Sequence, residues 1–375
     1  MDDELVIEAL GAQGDGIATV AGAQVFIPFT LPGERVRADL DGGRGRLREV
    51  IEESPDRRTS SCLHFGTCGG CALQHMVEDA YLAWKRDQVF RAFAARGLSP
   101  EVSPVLPVAP ASRRRAVLTA RRGRGNSVSL GYHRRQDREL VDVQECPVLR
   151  PAIVAALPGL RGLLNLLLAG RSEARVTILE TVTGLDVLVE GVPEPQSHHV
   201  LAGIAGLAAN AGLIRLTVGS ELLFQSGEPQ IHLGKALLSP PPGAFLQAVA
   251  SAESELAQRI LAACAAARNV ADLFCGAGTF ALRLAGGCEV AAFELDSALL
   301  TALRAAGARS QGLKKLTIER RDLFREPLTA RELGRFDAVV FDPPRAGARA
   351  QAQELAASKV PVVVAVSCNP ATLAR

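Results

Sequence analysis

Two cysteine-bearing segments hold the residue types that do covalent or ligand chemistry. Near the carboxyl end, Ser367-Cys368-Asn-Pro370 closes an apolar run, Pro361 to Val366, that reads as a strand. A cysteine acts as a nucleophile through its thiolate, and strand ends are where open α/β sheets place their ligands. Phe341-Asp342-Pro-Pro-Arg345 closes the preceding apolar strand in the same way. Far upstream, Cys62, Cys68 and Cys71 form a C-x5-C-x2-C group whose Gly69 and Gly70 permit a tight loop, and Cys146 follows in Gln144-Glu-Cys-Pro-Val148. Four thiolates around one centre suit an iron–sulfur cluster or a zinc ion, with His64 or His75 able to replace a thiolate in the zinc case. The short group with a distant Cys-Pro fits iron–sulfur ligation better than a zinc knuckle. Chance clustering of buried thiols is the third reading.

Such groups need a scaffold, and its clearest piece is Asp272-Leu-Phe-Cys-Gly-Ala-Gly-Thr-Phe280. Val270 to Phe274 reads as a strand, Gly276 and Gly278 as the turn, and Thr279 to Ala285 as the helix that follows. Glycines there let the backbone approach a nucleotide-like ligand, and the helix start offers unpaired N–H groups. Glu294 ends the next strand and can accept hydrogen bonds from ribose hydroxyls. Gly276-Ala-Gly278-Thr-Phe-Ala281 also satisfies the G-x-G-x-x-A dinucleotide fingerprint, so a nicotinamide enzyme is an alternative at this point. Further strands at Leu316 to Ile318, Ala338 to Phe341 and Pro361 to Val366, with helices between, make this a doubly wound sheet.

The chain has 375 residues, 48% hydrophobic and 22% charged, enough for two or three domains. A net charge of +2 says little about partners. The start, Met1-Asp-Asp-Glu-Leu5, is acidic and lacks the basic then apolar pattern of a signal peptide. Ala152 to Gly170 is interrupted by Pro158, Gly159 and Arg161 and reads as an amphipathic helix, not a membrane span. The expected compartment is therefore the cytoplasm, where eight cysteines point to metal or catalysis before disulfides.

Residues 1–55 alternate short strands (Leu5 to Ala9, Gly11 to Gly16, Ile17 to Val20, Val25 to Pro28, Val36 to Leu40, Leu47 to Ile51) with glycine turns, as in a small OB-like β-barrel. There Arg35, Arg37, Arg44, Arg46 and Arg48 face either phosphates or plain solvent. Glu52 to Ser61 reads as a linker. Residues 56–240 form a central α+β domain with the cysteine group and the densest positive stretch: Arg113, Arg114, Arg115, Arg121, Arg122, Arg124, Arg134, Arg135 and Arg138, with Tyr132 and His133 among them. RNA binding is the favoured reading of that stretch, a solvated sheet face its rival. His198 and His199 read as surface or helix-start residues. Residues 241–375, opening with Phe245-Leu-Gln247 and a helix from Ser251 to Ala267, form the nucleoside-binding domain.

Taken together, C-x5-C-G-G-C with a later Cys-Pro, Phe-Leu-Gln247, DLFCGAGTF, FDPPR and SCNP resemble the RNA uracil-C5-methyltransferases, over nearly the whole chain. The resemblance implies an N-terminal TRAM barrel, a [4Fe-4S] site at Cys62, Cys68, Cys71 and Cys146, and a C-terminal Rossmann-like class I methyltransferase domain. It makes Cys368 the nucleophile that adds to uracil C6, and Gln247, Phe274, Thr279, Glu294, Asp322 and Asp342 contacts of S-adenosylmethionine. The glycine turn adds Gly276 and Gly278, while Cys275 is expected only to pack. A flipped target base is implied, in 23S rRNA before tRNA, by a monomer free of membranes. An RNA cytosine-C5-methyltransferase is the rival enzyme.

One departure follows from the same resemblance. The family supplies the base that removes the C5 proton, a glutamate, from a segment well after SCNP, whereas this sequence stops at Arg375. A fragment of a longer protein, lacking the last two strands of the sheet, is the expectation. A chain that stopped there would be an RNA- and cofactor-binding protein without turnover.

Overall fold

Apolar runs that stay unbroken over four or five residues cannot alternate between core and water, and here they build a parallel sheet covered on both faces. The computed structural model describes residues 3–123, 125, 127–168, 173–193 and 198–375. These fall into two compact units, Met1–Pro107 with Ser129–Pro147, and Val108–Val128 with Val148–Arg375.

In the second unit the parallel sheet runs in the order Leu316–Arg320, Glu289–Glu294, Asn269–Leu273, Ala338–Phe341, Val362–Ala365. Val270, Ala292 and Val340 enter one core, while Ala271, Leu273, Val339 and Phe341 enter the other. Strand order reverses between Asn269–Leu273 and Ala338–Phe341, the switch point at which such sheets open a crevice beyond their carboxyl ends. The Rossmann-like methyltransferase architecture expected from the sequence is present.

The same unit carries a mixed sheet in the order Glu221–Gln225, Leu213–Val218, Leu185–Glu190, Glu173–Glu180, Arg115–Arg122. Helix Pro151–Leu167 buries Ile153, Leu157, Leu160, Leu163, Leu164 and Leu167 in spite of Pro158 inside it. Among the described residues no helix is long and apolar enough to cross a membrane. His198 and His199 open helix His198–Asn210, but their side chains, like Arg124, lie outside the described residues.

The first unit holds a six-stranded sheet, Asp3–Val6, Arg35–Asp41, Arg44–Glu52, Ala23–Ile27, Gly16–Val20, Ala9–Leu10 in spatial order. Period-two alternation puts Leu5, Ala18, Val25, Ile27, Val36 and Ala38 in one cluster with Ile7. Two expectations are corrected. Gly11 to Gly16 is not a strand: Gly14 N–H donates to Gly11 O and Gly11 N–H to Asp15 O, closing a turn. Nor is Glu52 to Ser61 a loose linker, because Arg57 Nη2 donates to Glu34 Oε2 (2.9 Å) and to Phe29 O (2.9 Å), and Glu34 is fully buried. A buried carboxylate needs a bonded cation, and Arg57 supplies it.

Candidate cofactor and nucleophile site

The glycine turn is shaped by positive-φ positions. Phe274 has φ of 61°, Gly276 of 56° and Gly278 of 93°. A bulky aromatic pays strain for a left-handed backbone, and here that conformation sets the Phe274 ring between Phe341 (6.0 Å between centroids) and the exposed Phe324 (5.3 Å). Gly278 is required by space as well, since a Cβ there would lie 2.3 Å from Leu303 Cδ1. At Gly276 a Cβ would meet nothing within 4 Å, so the turn faces open volume. Cys275 is buried, its Sγ donating to Gly276 O at 3.6 Å, and it packs as expected.

Three backbone N–H groups fix the Glu294 carboxylate: Gly276 donates to Oε2 (3.1 Å), Leu295 and Asp296 to Oε1 (2.7 and 3.0 Å). The half-buried acid at the second strand end is thereby locked to the glycine turn. Asp322 lies just past strand Leu316–Arg320 and organises its own turn, Oδ1 accepting from Phe324 N–H (3.0 Å) and Arg325 N–H (3.3 Å). Asp342 continues strand Ala338–Phe341, its N–H donating to Leu273 O at 3.3 Å. Burial raises its carboxyl to about 6. Val366 N–H in turn donates to Phe341 O at 2.9 Å, which aligns the end of the last strand with Asp342.

Cys368 sits beyond that strand, and it alone of the eight cysteines is exposed. Ser367 Oγ accepts from Asn369 N–H (3.1 Å), and Asn369 Oδ1 caps the following turn through Ala371 N–H (3.0 Å). These bonds hold the backbone on either side of the exposed thiol, which lies at a strand end as read from the sequence.

Sequence reasoning missed the network that anchors Gln247. Arg114, read there as part of a positive surface, is buried. Its Nε donates to Gln247 O (3.2 Å) and its Nη2 to Glu253 Oε2 (2.7 Å). Glu253 Oε1 accepts from Arg283 Nη2 (3.0 Å), and Arg283 Nη1 donates to Thr279 O (3.2 Å). Gln247 and Thr279 are therefore tied through two guanidiniums and one carboxylate that is 1% exposed. No sequence signal distinguishes Glu253 from any acid in the first turn of a helix. Arg115 is half-buried, its Nε donating to Ala244 O (3.2 Å), with its guanidinium 5.6 Å from the ring centroid of the exposed Phe245. Burial, then Arg175 and Arg113, lowers its basicity.

A second missed group is Asp272. Its side chain is fully buried, and among the described residues neither carboxylate oxygen has a partner at full hydrogen-bond geometry, the Ala281 N–H being the one donor that bears on it. Burial first, then the charge of Asp342, pushes its carboxyl well above the ordinary range; the nearby Ala281 N–H opposes this and Glu294 adds to it. The strand-end acids, the open glycine turn, the aromatic group and the half-buried Gln247 fit a nucleoside ligand that also carries positive charge.

In the first unit, the loop Cys62 to Cys71 is tied to residues 133–145 at three points. Gly69 N–H donates to His133 O (2.9 Å), Leu63 N–H to Glu145 Oε1 (3.0 Å) and Gln144 N–H to His64 Nε2 (3.1 Å). Gly69 is obligatory, because a Cβ would meet His133 O at 2.6 Å. Burial raises the Cys68 thiol, the Gly70 N–H opposes this, and Cys71, Cys62 and Cys146 each raise it further, so the four half-buried cysteines share one neighbourhood. Among the described residues no three ligating side chains close on a point that would hold a single metal ion. Four thiols in one neighbourhood with an N–H aimed at a sulfur (Gly70 to Cys68 Sγ, 3.4 Å) are by type a donor set that suits an iron–sulfur cluster. His64 already accepts a backbone hydrogen bond, and both ring nitrogens of the buried His75 lack partners.

The arginines of the six-stranded sheet turn largely to that sheet itself. Arg37 pairs with Glu4 (3.0 Å) and Glu49 (2.8 Å), Arg35 with Glu52 and Arg48 with Asp39. Arg44 and Arg46 are exposed and form no ion pair among the described residues. In the later stretch Arg121 pairs with Glu173 (2.7 Å), Arg134 with Glu139 (3.0 Å) and Arg135 with Asp15 (2.7 Å). Of the nine arginines in the stretch read as an RNA face, Arg114, Arg121, Arg134 and Arg135 thus turn to carboxylates of the protein.

Three of the matches to known proteins bear on this site. The chain is 46% identical over 372 residues to a protein of Brucella suis named an uncharacterized RNA methyltransferase, covering 99% of this chain and 89% of that protein. It is 34% identical over 400 residues to the 23S rRNA (uracil(1939)-C(5))-methyltransferase of Halomonas elongata, covering 99% and 82%. Its fold matches the Pyrococcus abyssi tRNA (uracil-54, C5)-methyltransferase in complex with S-adenosyl-L-homocysteine, with a TM-score of 0.75 at 22% identity over 99% and 91% of the two chains. No family model matches the chain.

Proposed function

The chain belongs to the RNA uracil-C5-methyltransferase family, and from that premise we propose that it methylates C5 of a uridine in 23S rRNA with S-adenosylmethionine as donor. The observation that carries the reading is the exposed Cys368 on a strand end aligned with Asp342 and the glycine turn. Uracil C5 is a poor nucleophile until a thiolate adds to C6, which makes C5 an enolate-like carbon. Cys368 Sγ forms that bond. The bound donor supplies an electrophilic methyl group on a sulfonium. Phe274, Gly276, Gly278, Thr279, Glu294, Asp322, Asp342 and Gln247 would hold it, with Glu294 already oriented to take hydroxyl donors on its remaining lone pairs. After transfer, loss of the C5 proton and departure of the Cys368 thiolate restore the aromatic base.

The target base has to leave its stack to meet an exposed thiol. Arg113, Arg115 and Arg175 support an RNA face on the second unit, since Arg175 and Arg113 lie close enough to add to the lowering that burial imposes on Arg115, which has no carboxylate partner among the described residues. The [4Fe-4S] cluster on Cys62, Cys68, Cys71 and Cys146 has a structural role in this reading, fastening the loop that carries the thiols. Halomonas elongata supplies the 23S assignment through its named relative; a tRNA uridine is the competing substrate.

A trapping experiment tests the chemistry. With RNA carrying 5-fluorouridine and S-adenosylmethionine, the thiol adduct cannot be resolved by proton loss, so a covalent protein–RNA complex should survive denaturation and vanish in Cys368→Ala. An adduct that persists in Cys368→Ala, or one formed on 5-fluorocytidine in preference, would overturn the assignment.

A further inference from the structure

Strand register places three carboxylates on one face of the parallel sheet. Asp272 pairs with Ala292 on one side and Val340 on the other. Side chains two residues apart on a strand share a face, so Glu294 and Asp342 flank Asp272 from the two adjacent strands, each one pleat nearer the carboxyl end. Every group acting on Asp272 is acidic or neutral. Asp342 and Glu294 face it from the neighbouring strands and Ala281 N–H from the short helix after the turn. Cys275 in the turn and Cys264 at the end of helix Ala250–Ala263 are thiols that its charge raises. Arg283 on that short helix turns instead to Thr279 O and Glu253, and Lys314 acts on Cys288. A buried charge without a cation is costly, and among the described residues both Asp272 oxygens lack a partner at full hydrogen-bond geometry.

Resting on the donor reading above, we propose that Asp272, flanked by Glu294 and Asp342, is a positioning residue that makes the site select the sulfonium-bearing methyl donor over its neutral demethylated product and couples donor binding to proton release. The missing cation of this cluster is the donor itself. S-adenosylmethionine carries a net positive charge, and S-adenosylhomocysteine, formed when the methyl group leaves and the sulfur keeps the bonding electron pair, carries none. A cationic ligand favours the ionised forms of Asp272 and Asp342, so protons leave these two carboxyls as the donor binds. When the sulfonium charge disappears Asp272 and Asp342 regain those protons, and the product loses the attraction that held the donor.

Calorimetric titration at pH 6, in buffers of different ionisation enthalpy, reads the linked protons. Donor binding should release on the order of half a proton or more and product binding much less. The donor-to-product affinity ratio should rise by about tenfold between pH 5 and pH 7, as one carboxyl near 6 ionises. In Asp272→Asn the donor should weaken by about tenfold while the product stays within about twofold. Equal proton release for both ligands, or an affinity ratio flat with pH, would overturn the proposal even if the variant did not fold. Failure of the unaltered protein to bind either ligand would instead bring down the donor reading on which it stands.

Discussion

Arg114 Nη2 donates to Glu253 Oε2 across 2.7 Å, joining positions 139 residues apart. Arg283 takes the other oxygen, and all three side chains are at most about a tenth exposed. Removing one partner of a buried pair leaves an uncompensated charge, at a cost of about 3–5 kcal/mol. Glu253→Gln should therefore lower stability by that order in denaturant titration and loosen donor binding, because Gln247 and Thr279 lose their common anchor. Unchanged stability would show that the triad is ornamental.

Gly278→Ala and Gly276→Ala should behave differently although both backbones are left-handed. Left-handed φ costs an alanine roughly 1–2 kcal/mol at either position. At Gly278 the new methyl group also collides with Leu303, whereas at Gly276 it enters open space. Thermal unfolding should show the larger loss for Gly278→Ala, and the Gly276 variant should fold yet bind the donor weakly.

The Asp342 carboxyl, raised by burial to about 6, sets a sign for pH dependence. Its folded value lies above the unfolded one, so the folded state binds more protons between about pH 4 and pH 6 and this group's contribution falls as pH rises through that window. Asp342→Asn should gain stability relative to the parent protein, by about 3 kcal/mol at most, on going from pH 4 to pH 7. A stability difference independent of pH would contradict the buried setting of Asp342.

Replacing Cys71 with serine removes one of the four neighbouring thiols without touching the second unit's sheet. Iron and acid-labile sulfide content should fall and RNA affinity with them, while donor affinity stays within about twofold. Iron content unchanged in Cys71→Ser would exclude that thiol as a ligand.

The strand-end motifs were legible because unbroken apolar runs followed by glycine or proline admit few other structures. Phe341-Asp342-Pro and Ser367-Cys368-Asn-Pro both close strands as read, and Cys71, Cys62 and Cys146 lie near enough to Cys68 to raise its thiol. Charge was the poor guide. A run such as Arg113-Arg114-Arg115 looks uniform in sequence, yet strand alternation turns Arg114 inward to Glu253 and leaves Arg115 half-buried beside Phe245. Gly11 to Gly16 failed for a related reason, since its glycines serve a turn stitched by Gly14 and Asp15. Asp272 was visible only as the first letter of a motif; its isolation depends on two other strands reaching the same height.

The account stands most directly on the modified nucleoside. A 23S rRNA transcript incubated with the protein and isotopically labelled S-adenosylmethionine, then digested and analysed by mass spectrometry, should yield labelled 5-methyluridine, reduced at least about a thousandfold in Cys368→Ala. Label in 5-methylcytidine, or 5-methyluridine formed equally well by Cys368→Ala, would contradict it.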